Sequence, residues 1–381
     1  MIFGIVTISS VSVYESYKLM SKIYGAAHCD PETGFNCNAF YLNKHILHTF
    51  LSFGAFAIGL FLPLGFYRLI SLPFFIFSFL LLFVVFSKNF GSNWGTAQSW
   101  INVPFLPSIQ PSEIMKLAII FYLALWLEKK ESEVQSFNHG FLPFVILLCA
   151  AIFPLALQPD FGSILVIGAI AVTMFFVAGG SFWQIFGGGA IASLIAWPVI
   201  LSHKYILQRF LAFLNPQTAE LGAGFQIKQS LIAVGSGGIW GVGVGNSQQR
   251  FGWLPEVQSD TVFAAMCEEL GFFRIIFILG IFVFIAHRGF KIAENCENRF
   301  AKILAIGIVA WISFQTLINI AVTLALFPLT GITLPFISAG GSSLLALMFA
   351  AGILVQISAQ NLSTFSPKIR RSFSTMKLRR R

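Results

Sequence analysis

Residues 254–286 read LPEVQSDTVFAAMCEELGFFRIIFILGIFVFIA. The stretch opens on two carboxylates, Glu256 and Asp260, and runs into an apolar segment at 263–286 that meets the roughly 20 residues a helix needs to cross a bilayer. A carboxylate at that border is either a solvated loop residue or a catalyst held at the lipid surface. The rest of the chain has to decide between them.

The 381 residues are 56% hydrophobic and 10% charged, with 44 Phe and a mean hydropathy of +0.80. Soluble domains are about a quarter charged, so the composition excludes one and predicts an all-α polytopic membrane protein. Apolar runs at 2–18, 46–66, 69–87, 112–127, 140–157, 161–180, 182–201, 263–286, 301–326 and 341–360 predict ten transmembrane helices. Charge supplies an independent check. With a cytoplasmic N-terminus, the inner loops hold Arg68, then Lys129 and Lys130, then Arg288, Lys291, Arg299 and Lys302, and finally the tail KIRRSFSTMKLRRR, as the positive-inside rule asks. Adding or dropping one span throws that tail outside. The expected organisation is a single ten-helix domain over 1–360, an ordered extracytoplasmic loop at 202–262 between the seventh and eighth helices, and a basic cytoplasmic tail at 361–381. The net charge of +9 lies largely in that tail and those loops, where it marks topology beside anionic lipid and gives no case for nucleic acid.

The first apolar run lacks a basic leader and a clear cleavage site, so it reads as a retained span rather than a signal peptide. Cys29 and Cys37 fall in the first outer loop, Cys149 and Cys267 in spans, and Cys296 in an inner loop. The outer two could pair in an oxidising compartment, but two free thiols would look the same in sequence.

Polar residues concentrate on the outer side. The 202–262 loop carries Lys204, Arg209, Glu220, Lys228, Arg250, Glu256 and Asp260, and QIKQSLIAV within it places Ile227, Leu231 and Val234 on one face of a short amphipathic helix. GSGGIWGVGVGNS is no clean nucleotide-cradling pattern; its glycines read as tight turns and close backbone packing. QPSEIMK brings Glu113 and Lys116 to the outer end of the fourth span, three residues apart, where a local ion pair and a functional pair are both open readings. LQPDFGS places Asp160 between the fifth and sixth spans, and CEELG places Glu268 and Glu269 in the eighth. Neither an HExxH zinc motif nor a GxSxG elbow is present. What remains, carboxylates and cations on the outer face, suits a substrate with a hydroxyl to deprotonate and a phosphate to neutralise.

The blocks QPSEIMKLAI, LQPDFGSILV, GFQIKQSLIAVGSGG, GVGNSQQRFGWLPEVQSD, EELGF and GITLPFISAGGSS, in this order over nearly the whole chain, resemble the SEDS family (shape, elongation, division and sporulation). GVGNSQQ and TLPFISAGGSS are more similar to its septal branch than to its elongation branch. The resemblance implies a ten-span peptidoglycan glycosyltransferase that polymerises lipid II outside the cytoplasmic membrane. It also implies action beside a class B penicillin-binding transpeptidase and other divisome or elongasome membrane proteins, on undecaprenyl-linked glycan. Carried over by motif, Asp260 is the catalytic residue with Glu256 upstream of it. Trp100, Glu113 and Lys116 belong to the same outer site, and Asp160, Ser338, Gly340, Gly341, Ser342 and Ser343 line or shape it. The chain departs from the family pattern at Ser99, Ser259, Thr261 and Ala339.

The implied reaction is attack by the 4-hydroxyl of one lipid-linked disaccharide on the anomeric carbon of another, with inversion and loss of undecaprenyl diphosphate. An aspartate with an ordinary pKa of about 3.9 is a weak base, and a close Lys116 would weaken it further, so proton transfer would come late. Lys116 or a divalent cation, Mg or Mn, would serve the diphosphate instead. A lipid II flippase is the rival reading, and a scaffold that only recruits the transpeptidase is a third. A flippase favours ionisable residues near the bilayer midplane, whereas these cluster at the outer border.

Overall fold

The computed structural model describes residues 1–24, 29, 37–87, 91–94, 97–102, 108–202, 204–216 and 222–378. The helices are α1 Ile2–Val11, α2 Val13–Tyr24, α3 Phe40–Phe61, α4 Leu64–Val84, α5 Pro111–Lys129, α6 Leu142–Leu157, α7 Phe161–Val177, α8 Phe182–Ser202, α9 Lys204–Leu214, α10 Ala223–Ser236, α11 Val262–Glu294, α12 Arg299–Thr323 and α13 Gly341–Leu378. Between α4 and α5 a two-stranded antiparallel hairpin pairs β1 Gly91–Trp94 with β2 Ala97–Ile101. Helices prevail because hydrocarbon offers no partner for a backbone N–H or C=O, and a helix satisfies both internally.

Six of the described helical segments are long and apolar enough to cross a membrane: Cys37–Phe61, Leu64–Val84, Phe137–Leu157, Val262–Glu294, Arg299–Thr323 and Gly341–Asn361. The chain is a multi-pass membrane protein. Large apolar side chains such as Phe50, Leu69, Leu194 and Phe277 point outward, where lipid is an adequate solvent, while the core forms around α5, α7 and α12 with Phe121, Phe175 and Trp311 buried in it. At one end, Arg68 pairs with Glu128 at 2.6 Å and lies 5.2 Å over the Phe300 ring, while Arg299 pairs with Glu131 and donates to Ala178 O at 3.1 Å. These are the loops expected to be basic and internal, gathered together. The carboxylates expected to be functional lie at the other end.

Several expectations are refined. Residues 2–18 form two helices broken at Ser12 rather than one span, and α1 is only 10 residues long, about half the rise a crossing needs. Its Gly4 lies against the carbonyls of Phe336 and Ile337, so α1 starts beside the Asp260 end of the bundle rather than at the basic end. The amphipathic helix expected around 226–234 is α10, but its buried residues are Gly224, Ile227, Ser230 and Ala233; Leu231 is exposed and Val234 half-buried. Small residues win that face because α10 packs closely on α11 and α9. The 361–378 segment continues α13 as helix, whereas 379–381 of the expected tail lie outside the described residues. Cys29 and Cys37 are joined by a disulfide, with Cα atoms 5.4 Å apart, and pack with Met20.

α11 is broken at Gly271, where φ is +72°. The glycine-rich stretch after α10 fills the break: Val242 N and Gly243 N donate to Glu268 O and Glu269 O at 3.0 and 3.1 Å, and Phe272 N donates to Gly238 O at 3.0 Å. A Cβ on Gly271 would lie 2.1 Å from Gly241 N, and one on Gly241 would lie 2.3 Å from Glu269 O. The glycines thus serve close backbone packing, as the sequence suggests. The break leaves Val262–Leu270 as a short outer helix that begins two residues after Asp260.

Candidate functional site

Asp260 ends a run of turns. Glu256, in left-handed backbone at φ +52°, accepts Ser259 N at 3.0 Å on its carbonyl, and Thr261 Oγ1 donates to Pro255 O at 2.9 Å. The exposed Glu256 carboxylate accepts the Ser259 hydroxyl at 3.0 Å, so it braces the same turn.

Three consecutive carbonyls of this loop are held from outside it. Gln258 O accepts Ala339 N at 2.9 Å, Ser259 O accepts Ser338 Oγ at 2.6 Å, and Asp260 O accepts Asn319 Nδ2 at 2.9 Å. Ser338 Oγ in turn accepts Leu334 N at 2.8 Å. The main chain of Asp260 is therefore pinned between α12 and the loop joining α12 to α13. Beside its carboxyl that loop carries Gly331, at φ +72°, where an added Cβ would stand 3.4 Å from Asp260 Oδ2. Asp260 is partly accessible, yet protein atoms crowd its carboxyl. Burial first, then the charges of Glu256 and Asp160, raise its pKa from 3.8 to about 7, against the opposing pull of Arg209 and a hydrogen bond from Ser259.

Asp160 caps α7, accepting Ser163 N at 3.0 Å on Oδ1, while its Oδ2 is buried with no partner. It reaches the site because Gly162 lets α7 approach the α12–α13 loop: a Cβ there would lie 2.7 Å from Thr330 O. Arg209 extends from α9 and donates Nη1 to Leu329 O at 3.0 Å, two residues from Gly331. Ala212, Ile227, Val322 and Leu329 form the apolar cluster that seats α9 and α10 over this end.

Glu113 and Lys116 form a local ion pair at 2.7 Å, both buried, Lys116 1% exposed. Lys116 Nζ also donates to Gln315 Oε1 at 3.1 Å and lies 5.7 Å over the Trp311 ring. Gln315 carries the connection onward, donating Nε2 to Thr333 O at 3.1 Å and to Ser343 Oγ at 3.3 Å. The pair is thus wired to the α12–α13 loop, and Lys116 does not figure among the charges acting on Asp260. Ser342 Oγ accepts Gln110 N at 3.1 Å and donates to Ser108 O at 3.2 Å. Ile109 pairs with Ile101 on β2, next to the half-buried Trp100. Gly341 is dictated by the His48 ring, whose nearest atom would be 2.5 Å from a Cβ, and Gly340 lies against Thr333. Glu268 and Glu269 stand apart from Asp260: Glu268 accepts the Ser247 hydroxyl and Gln248 N, and Glu269 accepts the Ser10 hydroxyl and Gly245 N. They tie α1 and the glycine-rich stretch to the broken helix.

Sequence reasoning missed Arg209, Gln315, Asn319, Gly331 and Thr333 as site residues. Trp311, Gln315 and Asn319 recur every four residues on one face of α12, and polar side chains inside a span are a signal in themselves. Among the described residues no three His, Cys, Asp or Glu side chains converge as metal ligands. Asp160, whose charge helps raise the pKa of Asp260 and whose own Oδ2 is buried with no partner, fits a hard cation that takes one or two carboxylates and completes its shell with water and phosphate.

A sequence profile described as cell cycle protein, covering FtsW, RodA and SpoVE, matches residues 1–363. A probable peptidoglycan glycosyltransferase FtsW from Trichlorobacter lovleyi is 34% identical over 337 residues, 88% of this chain and 88% of that protein. Stage V sporulation protein E of Bacillus subtilis is 37% identical over 338 residues, 88% of this chain and 92% of its own. Among solved structures, a chain from the structural coordination of polymerization and crosslinking by a peptidoglycan synthase complex superposes with a TM-score of 0.71 at 23% identity, covering 94% of this chain and 97% of that one. Thermus thermophilus rod shape determining protein RodA superposes at 0.62 with 22% identity and the same coverage. At these identities the two structures show a shared fold.

Proposed function

The chain belongs to the FtsW, RodA and SpoVE family of cell cycle proteins, and we propose that Asp260 is the general base of its reaction. It is a peptidoglycan glycosyltransferase that polymerises lipid II in septal wall synthesis, a reading supported by 34–38% identity to proteins named probable peptidoglycan glycosyltransferase FtsW. The carrying observation is Asp260: a carboxyl with a pKa of about 7, on a main chain pinned at three consecutive carbonyls, at the end of the bundle opposite the basic loops. A base is most effective with a pKa near the working pH, so the late proton transfer demanded of an ordinary aspartate is unnecessary.

Asp260 takes the proton of the acceptor 4-hydroxyl as its oxygen bonds to the anomeric carbon of the donor. The bond from that carbon to the diphosphate breaks on the opposite face, inverting the centre, and the diphosphate leaves with the electron pair. Arg209, the cation acting on Asp260, is suited to offset that charge; Lys116 is committed to Glu113 and Gln315. A divalent cation, Mg or Mn, held by Asp160 would supply further charge neutralisation at the diphosphate and leave Asp260 free to take the proton. Trp100, near the end of β2, and Gly340, Gly341, Ser342 and Ser343, where α13 starts, are assigned to the wall of the site, a reading supported by the Ser342–Gln110 and Ile101–Ile109 links between the two elements. A class B penicillin-binding transpeptidase is the proposed partner, since the superposing chain comes from a complex coordinating polymerization with crosslinking. The catalytic end faces outward from a cytoplasmic inner membrane, with the basic loops and the end of α13 in the cytoplasm.

The test is polymerisation of labelled lipid II by purified protein with its transpeptidase. Asp260→Asn keeps size and most hydrogen bonding and should lose at least the ~100-fold typical of general-base removal, with Glu256→Gln costing less. Polymer from Asp260→Asn at near wild-type rate, in a preparation free of other glycosyltransferases, overturns the assignment, and lipid translocation without polymer would point to a flippase.

A further inference from the structure

Asn319 lies near the C-terminal end of α12 and is 1% exposed. Its amide nitrogen carries two protons, and both go to backbone carbonyls from different loops: Asp260 O at 2.9 Å and Ile332 O at 2.7 Å. The first loop carries the base; the second runs past its carboxyl at Gly331. The two N–H bonds of a planar amide diverge at a fixed angle, so one side chain sets the separation of both carbonyls. Aspartate could donate to neither and serine to only one.

Burial alone does not explain an asparagine here. Its Oδ1 is buried with no partner, an unfavourable arrangement that an apolar side chain would avoid. The neighbouring carbonyls of Gln258 and Ser259 are held by Ala339 N and Ser338 Oγ of the α12–α13 loop, so Asp260 O is the third carbonyl in a row to be held, this one from α12. The two Asn319 bonds together anchor both loops to α12. We infer that Asn319 is a positioning residue for glycosyl transfer, fixing the Asp260 main chain against the 329–334 loop so that the carboxyl meets the acceptor hydroxyl in one orientation. The inference rests on Asp260 being the base.

Lipid II polymerisation would be compared for Asn319→Ala, Asn319→Ser, Asp260→Asn and Thr316→Val in purified complexes. Misplacing a catalytic group by about 1 Å costs on the order of 100-fold, so Asn319→Ala should lower kcat by roughly 10–100-fold with KM within about 3-fold. Asn319→Ser, keeping one donor, should fall between it and wild type. The acid limb of kcat, set by Asp260 among Glu256, Asp160 and Arg209, should move to lower pH in Asn319→Ala as the loosened carboxyl gains water. Thr316 is equally buried on α12 and bonds Ile312 O of its own helix, so Thr316→Val should keep wild-type kcat and pH profile. Equal losses in Thr316→Val and Asn319→Ala, or an Asn319→Ala enzyme with unchanged kcat and acid limb, overturn the inference. Should Asn319→Ala fail to insert, Asn319→Ser decides by the same kcat and pH criteria. An inactive Asp260→Asn beside a fully active Asn319→Ala removes only the positioning role, whereas an active Asp260→Asn removes the base itself.

Discussion

The proposed base, Asp260, sits where the fold makes its ionisation unfavourable. Its carboxyl stands at about 7 rather than 3.8, chiefly through burial and then through Glu256. If Asp260 is the base as proposed, catalysis requires its ionised form, and kcat should rise with pH through about 7 and level off above it. Stability runs the other way. A carboxyl with a raised folded pKa costs the fold nothing below the unfolded value near 3.8, and the cost grows as pH climbs from there to about 7. At about 1.4 kcal/mol per pKa unit, and allowing for the accessible part of the side chain, ionised Asp260 costs on the order of 1–4 kcal/mol. Asp260→Asn should therefore melt higher than wild type at pH 8, with the gap closing toward pH 5. Thermal scans of both proteins at the two pH values check this; a gap independent of pH would mean that burial is not what raises the carboxyl.

At the scale of the element, the broken helix α11 aims this chemistry. Gly271 tolerates φ +72° and lets Gly241 approach, and the amides of 242 and 243 take the carbonyls of Glu268 and Glu269. A Cβ at Gly271 meets Gly241 N at 2.1 Å, so Gly271→Ala should cost at least about 2 kcal/mol and displace the short helix that follows Asp260. Gly280→Ala is the contrast: nothing lies within 4 Å of its added Cβ, and alanine is the better helix former by about 1 kcal/mol. Detergent-solubilised melting midpoints should fall for the first and hold or rise for the second; equal midpoints would remove the tight-packing account. The apolar runs of α3, α4, α6, α11, α12 and α13 were legible because length and hydropathy are local properties. The motif blocks likewise pointed to Asp260, Asp160 and Ser338, which the structure brings around one loop. The break in α11 was less legible, since a glycine in a helical pattern signals it only once a facing strip supplies the missing donors. Asn319 and Gln315 were hidden for a related reason: a polar side chain inside an apolar helix says that it has partners, while the partners sit 13 to 199 residues away.

For the whole molecule, the two ends are chemically unlike, and that asymmetry sets orientation. One end joins Arg68 to Glu128 and Arg299 to Glu131 and Ala178; the other carries Asp160, Asp260, α9 and α10. Short basic loops resist translocation, so the first end should be cytoplasmic and the second should face the compartment in which Cys29 and Cys37 are oxidised. The disulfide is an independent witness, because a reducing cytoplasm would keep those thiols apart. Gln217, the outer position that the loop's length first suggests for a probe, lies outside the described residues, and the exposed Ser236 on α10 takes its place. In a background without the free cysteines Cys149, Cys267 and Cys296, Ser236→Cys should react with an impermeant thiol reagent on intact spheroplasts. Ser132→Cys and Asn298→Cys should react only after permeabilisation. Labelling of Ser132→Cys in sealed cells would invert the orientation and put Asp260 on the side where no glycan strand is built.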